Sequence, residues 1–222
     1  ITVGAALTAL LMLLSLPSPA QADDDWDQVR QSLLQLGVVE DRVEPLIHKI
    51  QDGLPLDSFG GVPAVAVEHF DSGGFSSTRS TYPDGSVSLL RSELPTEAGS
   101  TAEAVRSISG CSVTGPAYVR TYSNCTIDAW VGLYVFSFRA DYRIQESSAD
   151  SILDSYSPSV TCTWPATCGS ATDAVNRGTE NVGAGLPAEA EMTFTGNVGG
   201  VTSIGHLFLR VGSNGAWQAH VV

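Results

Sequence analysis

The stretch 133–144 constrains the fold most. Leu133, Val135, Ser137, Arg139, Asp141 and Arg143 alternate there with Tyr134, Phe136, Phe138, Ala140, Tyr142 and Ile144. Side chains of a strand leave on opposite faces at a period of two, so one face is mostly polar and the other is a continuous aromatic and aliphatic stripe. A stripe of that length needs a second layer to cover it. Leu207, Leu209 and Val211 alternate with Phe208 and Arg210 in the same way. Further strands are expected over 109–114, 117–127, 159–164, 172–176, 190–196, 203–211 and 217–222, separated by Gly-rich turns. No βαβ alternation and no fixed-period repeat interrupts them. The expected class is mainly β: an antiparallel Ig-like β-sandwich over 108–222.

The residues before it read differently. Trp26, Val29, Leu33 and Leu36 recur at helical spacing, with Gly37 placed as a C′ residue. Val39, Val43, Leu46, Ile47 and Ile50 form a second helical stripe that ends before Gly53 and Pro55. The pattern predicts helices over 24–36 and 41–51, a helical hairpin within 23–58, with Pro45 in the first turn of the second helix. A small β-meander follows over 59–92. Its strands are 65–70, 75–82 and 87–91, and its turns are Asp71-Ser72-Gly73-Gly74 and Pro83-Asp84-Gly85. Residues 93–107 are polar and mixed and read as a linker.

The first 22 residues carry no charge, and their apolar run 3–16 is too short for a helix crossing ~30 Å of hydrocarbon. Ala20-Gln21-Ala22 then sets small residues at −3 and −1. These features predict a signal peptide over 1–22, cleaved after Ala22, and hence a secreted protein. No later stretch approaches a membrane span. Cys111, Cys125, Cys162 and Cys168 agree with export: an even count suggests two disulfides, and neither C-x₂-C spacing nor a nearby His partner supports a metal site. Four Cys allow three pairings, of which locality favours Cys111–Cys125 and Cys162–Cys168.

Charge narrows the partners. The chain has 24 acidic and 11 basic side chains, ten Arg and Lys49, for a net −13. That balance argues against nucleic acid, which demands a basic face. Residues 23–58 hold nine acids and three bases, and the rest holds fifteen and eight, so negative charge is densest in the helical arm. The run Asp23-Asp24-Asp25-Trp26-Asp27 lacks the alternating ligands, Gly and twelfth-position Glu of a calcium loop and reads as a helix start.

Catalytic signatures are absent from the sequence. There is no G-x-S-x-G, no H-E-x-x-H, no P-loop and no dinucleotide fingerprint, so no cofactor, no metal and no catalytic residue is assigned. Asp128 and Asp141, or His206 with His220, are the groups a hydrolase of unfamiliar construction would use. Asp141, between Arg139 and Arg143 on one face, reads more simply as charge-paired. Asn124-Cys125-Thr126 fits a glycosylation sequon, but with Cys125 expected in a bridge. For ligand binding the candidates are Trp164 in the small Cys loop, Trp130 near a strand end, and His206 and His220 on the last two strands.

Leu33-Leu-Gln-Leu-Gly37, Leu46-Ile-His-Lys-Ile-Gln-Asp-Gly53, Leu56-Asp-Ser58, Tyr82-Pro-Asp-Gly-Ser-Val87 and Phe138-Arg-Ala-Asp-Tyr142 together resemble a group of uncharacterised secreted proteins of Gram-positive bacteria. The resemblance implies secretion, a short helical hairpin and a β-rich C-terminal domain, and it implies no activity. The expected function is a secreted, non-enzymatic binding protein for an extracellular protein or glycan. The alternatives are a secreted inhibitor that uses the Cys162–Cys168 loop, and the acid/His hydrolase.

Overall fold

A computed structural model of the chain describes residues 19–97 and 110–221. Most of the expected signal peptide and positions 98–107 of the expected linker lie outside the described residues.

Helix α1 (Pro19–Leu36) and helix α2 (Glu40–Gln51) form the hairpin. Both stop where glycine allows a left-handed turn. Gly37 has φ +97°, and Val38 N–H donates to the Leu33 carbonyl at 3.0 Å. Gly53 has φ +71°, and Leu54 N–H donates to the Lys49 carbonyl at 3.0 Å. Two details differ from the sequence reading. Pro45 lies inside α2, past its first turn, so the backbone N–H it lacks is one that Asp41 C=O would otherwise accept. Val39 is not on the buried stripe: it caps α2 and is 62% exposed, while Val38 is buried in its place.

The strands make two sheets. In the first, β1 (Ala66–Ser72), β2 (Phe75–Thr81) and β3 (Val87–Glu93) run as a meander into β6 (Val119–Val131), which pairs onward with β7 (Tyr134–Gln145) and then β8 (Ser151–Cys162). Strand β5 (Ser112–Thr114) borders the other half of β6, and β4 (Thr96–Glu97) joins β5 as a short parallel pair. The second sheet has the order β12 (Gly215–Val221), β11 (Val201–Gly212), β10 (Ala188–Val198), β9 (Thr167–Arg177). Meander and sandwich therefore share one sheet through the β3–β6 ladder. Strand β8 starts well before the expected 159, because its polar first half is held by the register with β7 and not by apolar patterning.

The alternation in 133–144 became the core. Tyr134, Phe136, Phe138, Ala140 and Tyr142 are buried, and so are Ile127, Ala129 and Val131 beside them on β6. They meet Ala188, Ala190, Met192 and Phe194 of β10 and Leu207, Leu209 and Val211 of β11. Phe194 touches both Tyr134 and Phe136, at ring-centroid distances of 5.5 and 4.6 Å. Disulfides close Cys111–Cys125 and Cys162–Cys168. The first is buried in the core, and the second clips the turn that carries the chain from one sheet to the other.

The helical hairpin docks on the opposite face of the first sheet. Arg79 pairs in register with Leu89, facing away from the second sheet, and its guanidinium lies against Gly37 of the interhelical turn. At the other end of α1, Trp26 meets Trp164 edge-on, with centroids 4.7 Å apart. Thus α1 crosses from β2 to the β8–β9 turn and buries Val29, Leu33 and Leu36 beneath it. One polar cluster fixes α2. Lys49 Nζ contacts Asp57 Oδ1 at 2.7 Å and Asp84 Oδ2 at 2.8 Å. Asp57 N–H donates to Asp84 Oδ2 at 2.8 Å, Asp84 N–H returns to Asp57 Oδ2 at 3.1 Å, and Ser58 N–H reaches Ser86 Oγ at 3.0 Å. The Lys, Asp-Ser and Asp-Gly-Ser residues on which the sequence resemblance rests converge here.

Candidate ligand-binding face

Three surfaces carry clusters of polar or aromatic groups, and the first and third hold Asp128, Asp141, Trp130 and His206. The first is the outer face of the first sheet. Arg91 forms a two-pronged pair with Asp128, Nε to Oδ1 at 2.8 Å and Nη2 to Oδ2 at 2.7 Å. Its guanidinium is stacked over Phe75 at 4.6 Å and over Trp130 at 5.0 Å. Burial pushes the Asp128 carboxyl up, and Arg91 offsets only part of that. The Trp130 ring is thus occupied by Arg91. Beyond it, two irregularities in pairing frame Asp141, one on β6 at Asn124 (φ +60°) and one on β8 at Ser157 (φ +57°). Asp141 Oδ1 accepts the Asn124 N–H at 2.7 Å and the Tyr156 hydroxyl at 3.1 Å. Its partners are the bulge amide and a tyrosine, where the sequence suggested the flanking arginines. Asn124 Oδ1 in turn accepts from Arg139 at 2.9 Å.

The second surface is the loop end. Buried Asp150 accepts the Gln145 N–H at 2.7 Å and the Asn214 N–H at 2.9 Å, and Glu180 Oε1 accepts the Ser213 N–H at 2.9 Å. These carboxylates tie three loops together. No group of three metal-ligating side chains occurs among the described residues. At the opposite end, a small apolar cavity of about 40 Å³ lies between Ile50, Leu56, Phe59, Tyr134 and Val198.

The third surface is the outer face of the second sheet. The β10–β11–β12 register sets Arg210 between Glu189 and Trp217, Phe208 between Glu191 and Ala219, and His206 between Thr193 and Val221. Because inward Leu207, Leu209 and Val211 are buried, every one of these alternates points outward. Arg210 Nε meets Glu189 Oε2 at 2.8 Å, and its guanidinium lies 5.2 Å from the Phe208 ring centre. His206 Nδ1 meets Glu191 Oε1 at 2.5 Å, and its ring lies parallel to Phe208 at 6.1 Å. Asn176 Nδ2 donates to Glu191 Oε2 at 2.6 Å, and the Thr172 and Thr193 hydroxyls pair at 3.2 Å. Burial opposes ionisation of Glu191, but the bonds from Asn176 and His206 outweigh it and hold its carboxyl below the ordinary carboxylate range. Trp217 is 40% exposed beside this row, with small Ala219 leaving Phe208 open on that side.

The sequence candidates do not gather into one cleft. His206 and His220 lie on neighbouring strands, but His220 pairs with Leu207 and faces inward while His206 faces out. Burial pushes the His220 imidazole down, against a hydrogen bond with the Ser58 backbone. Trp164 is 40% exposed in the β8–β9 turn and packs on Trp26. Asp128 and Asp141 are on the other sheet. Sequence reasoning missed Trp217 and Phe208 as site residues. The signal that finds them is Phe208 and Arg210 alternating with buried Leu207 and Leu209, since whatever alternates with a core stripe is surface.

No family model and no curated protein matches the chain. Among solved structures, a hypothetical protein, lmo2686 from Listeria monocytogenes EGD-e, is a distant neighbour: 14% identical, with a TM-score of 0.37, over 66% of this chain and 93% of that one.

Proposed function

We propose that this chain is an exported, non-enzymatic binding protein that presents the outer face of its second sheet to an extracellular glycan. The carrying observation is the Phe208–His206 ring pair with Trp217 beside it, paired across the strands with Arg210, and bordered by the Arg210–Glu189 and His206–Glu191 pairs. A pyranose ring offers an apolar C–H face and a belt of hydroxyls. The aromatic rings match the first, and fixed carboxylates, amide and hydroxyls match the second. Two disulfides suit an oxidising compartment, and no helix among the described residues is long and apolar enough to cross a membrane.

These groups stand on the outer face of a sheet, which suits holding a chain more than enclosing a reacting bond. The acid and His groups of the hydrolase reading stand on separate faces. Packing of Trp164 on Trp26 counts against the Cys162–Cys168 loop as a free inhibitory finger.

A glycan array probed with the purified protein tests the reading. Binding to one glycan class is expected, with loss of about tenfold or more in Trp217→Ala, where a large exposed anchor is removed. Retention of full glycan binding by Trp217→Ala, or an array without signal beside a protein partner that binds, overturns it.

A further inference from the structure

A further surface borders the glycan face along the free edge of β12, whose outward backbone groups belong to Ala216 and Gln218 on either side of Trp217. The turn Ser213-Asn214 has two residues, with φ of +51° and +60°, the left-handed pair of a type I′ hairpin. In such a hairpin the closing pair Gly212–Gly215 is hydrogen-bonded, and bonded and non-bonded pairs then alternate. Ala216, Gln218 and His220 are therefore the non-bonded members, and they aim their N–H and C=O groups away from β11. Among the described residues β12 ends the second sheet, and nothing pairs with that edge.

Edge strands are ordinarily guarded by charge. Strand β1 carries Glu68 and Asp71, and β9 carries Asp173 and Arg177, whereas Gly215–Val221 holds no Asp, Glu, Lys, Arg or Pro. In a chain of net charge −13 this is a neutral, unguarded edge.

The ground beside it is already laid. Strand β12 lies over β3, so β2 and β1 extend past it in the layer below. Two register rows define their inward face: Val67–Ser80–Ser88–Val131 and His69–Thr78–Leu90–Ala129. Val131 and Ala129 are core, but at the outer end of the rows Val67 is 56% exposed and neighbouring Val65 66%. At ~4.8 Å per strand the overhang is about 10 Å wide. That admits one extended segment. It does not admit a second copy pairing β12 with β12 about a two-fold axis, because the copy's β3, beneath its own β12, would need the place of β2.

We infer that this step binds an extended peptide of a partner protein, which adds to β12 as a fifth strand. Its backbone bonds to Ala216 and Gln218, and alternate side chains rest on Val67 and Thr78. β-branched or apolar residues suit the floor, and a basic residue suits the end nearest exposed Asp71, in keeping with the acidic chain.

The test pans a phage-displayed random decapeptide library against the immobilised full protein. A synthetic peptide of the enriched sequence is then titrated by fluorescence anisotropy. Alternating apolar clones are expected. Gln218→Pro deletes an outward N–H without breaking the β11 ladder and should weaken binding about tenfold or more. Val67→Asp should do the same, and Leu153→Ser, on exposed β8, should leave binding unchanged. If Gln218→Pro fails to fold, amide exchange in the wild-type protein replaces it: the Gln218 N–H should slow on peptide addition. The proposal fails if no clone enriches over an unrelated immobilised protein, if Gln218→Pro binds as tightly as wild type, or if that amide does not slow. Concentration-dependent self-association abolished by Gln218→Pro would assign the edge to a second copy instead.

Discussion

At the scale of single residues, the informative groups are the buried polar ones. Asp128 is a largely buried carboxylate whose ionised form depends on one partner, Arg91. Removing that partner strands the charge, so Arg91→Ala should destabilise by about 3 kcal/mol, read by urea unfolding. Adding Asp128→Ala to Arg91→Ala should recover most of the loss, and additive losses would show that the pair does not act as a unit. His220 makes the opposite kind of prediction. Burial lowers its native pKa below the unfolded value of about 6.5. The native state therefore resists the proton that the unfolded chain takes up. This contribution to stability is complete above about pH 6.5 and is lost as pH falls from there through the depressed native value. Melting temperature should drop over that window, and His220→Gln should flatten the drop; an unchanged slope would contradict the assignment.

At the scale of elements, the Lys49–Asp57–Asp84 cluster attaches α2 to the β2–β3 turn. Asp84 accepts from Lys49, from the Asp57 N–H and from the Ser86 N–H at 2.8 Å. Desolvation raises its pKa, but these bonds outweigh that and hold it low, while the same contacts hold Lys49 high against its own desolvation. Asp84→Ala leaves the Asp57 and Ser86 N–H groups without their acceptor and Lys49 with Asp57 alone, and should cost about 2–3 kcal/mol, more than Lys49→Met, which removes the shared cation but keeps the backbone bonds. Equal losses would mean that the backbone bonds contribute little. Element type and end were legible in advance: the α1 and α2 stops followed from Gly37 and Gly53, and both disulfides followed from spacing. Strand β8 before 159 was not legible, because Ser151-Ile-Leu-Asp-Ser-Tyr-Ser-Pro158 has no clean alternation and is a strand only through its ladder with β7.

At the scale of the molecule, helices and sheets share one hydrophobic core running from Val29 through Leu56 and Val131 to Leu209. Helix content by far-UV circular dichroism and tertiary packing by tryptophan fluorescence should therefore be lost in one coincident thermal transition; two separated transitions would show that the hairpin docks weakly. The negative charge concentrated in the helical arm in sequence is only partly neutralised in three dimensions. Arg30 binds Asp27 and Glu44, and Lys49 binds Asp57 and Asp84. By itself the sequence determined the periodicities, hence the helical hairpin, the strands with a clean alternation and which face of β7 and β11 is core, because burial of a stripe is dictated locally by a period of 2 or 3.6. Only the tertiary structure decided which outward residues become neighbours. Whether Trp217 joins Phe208, whether His206 and His220 share a face, and whether β1 and β2 overhang β12 depend on register and strand order. Those are set by ladders between segments distant in sequence, and a one-residue change in register would have turned each of these side chains to the other face.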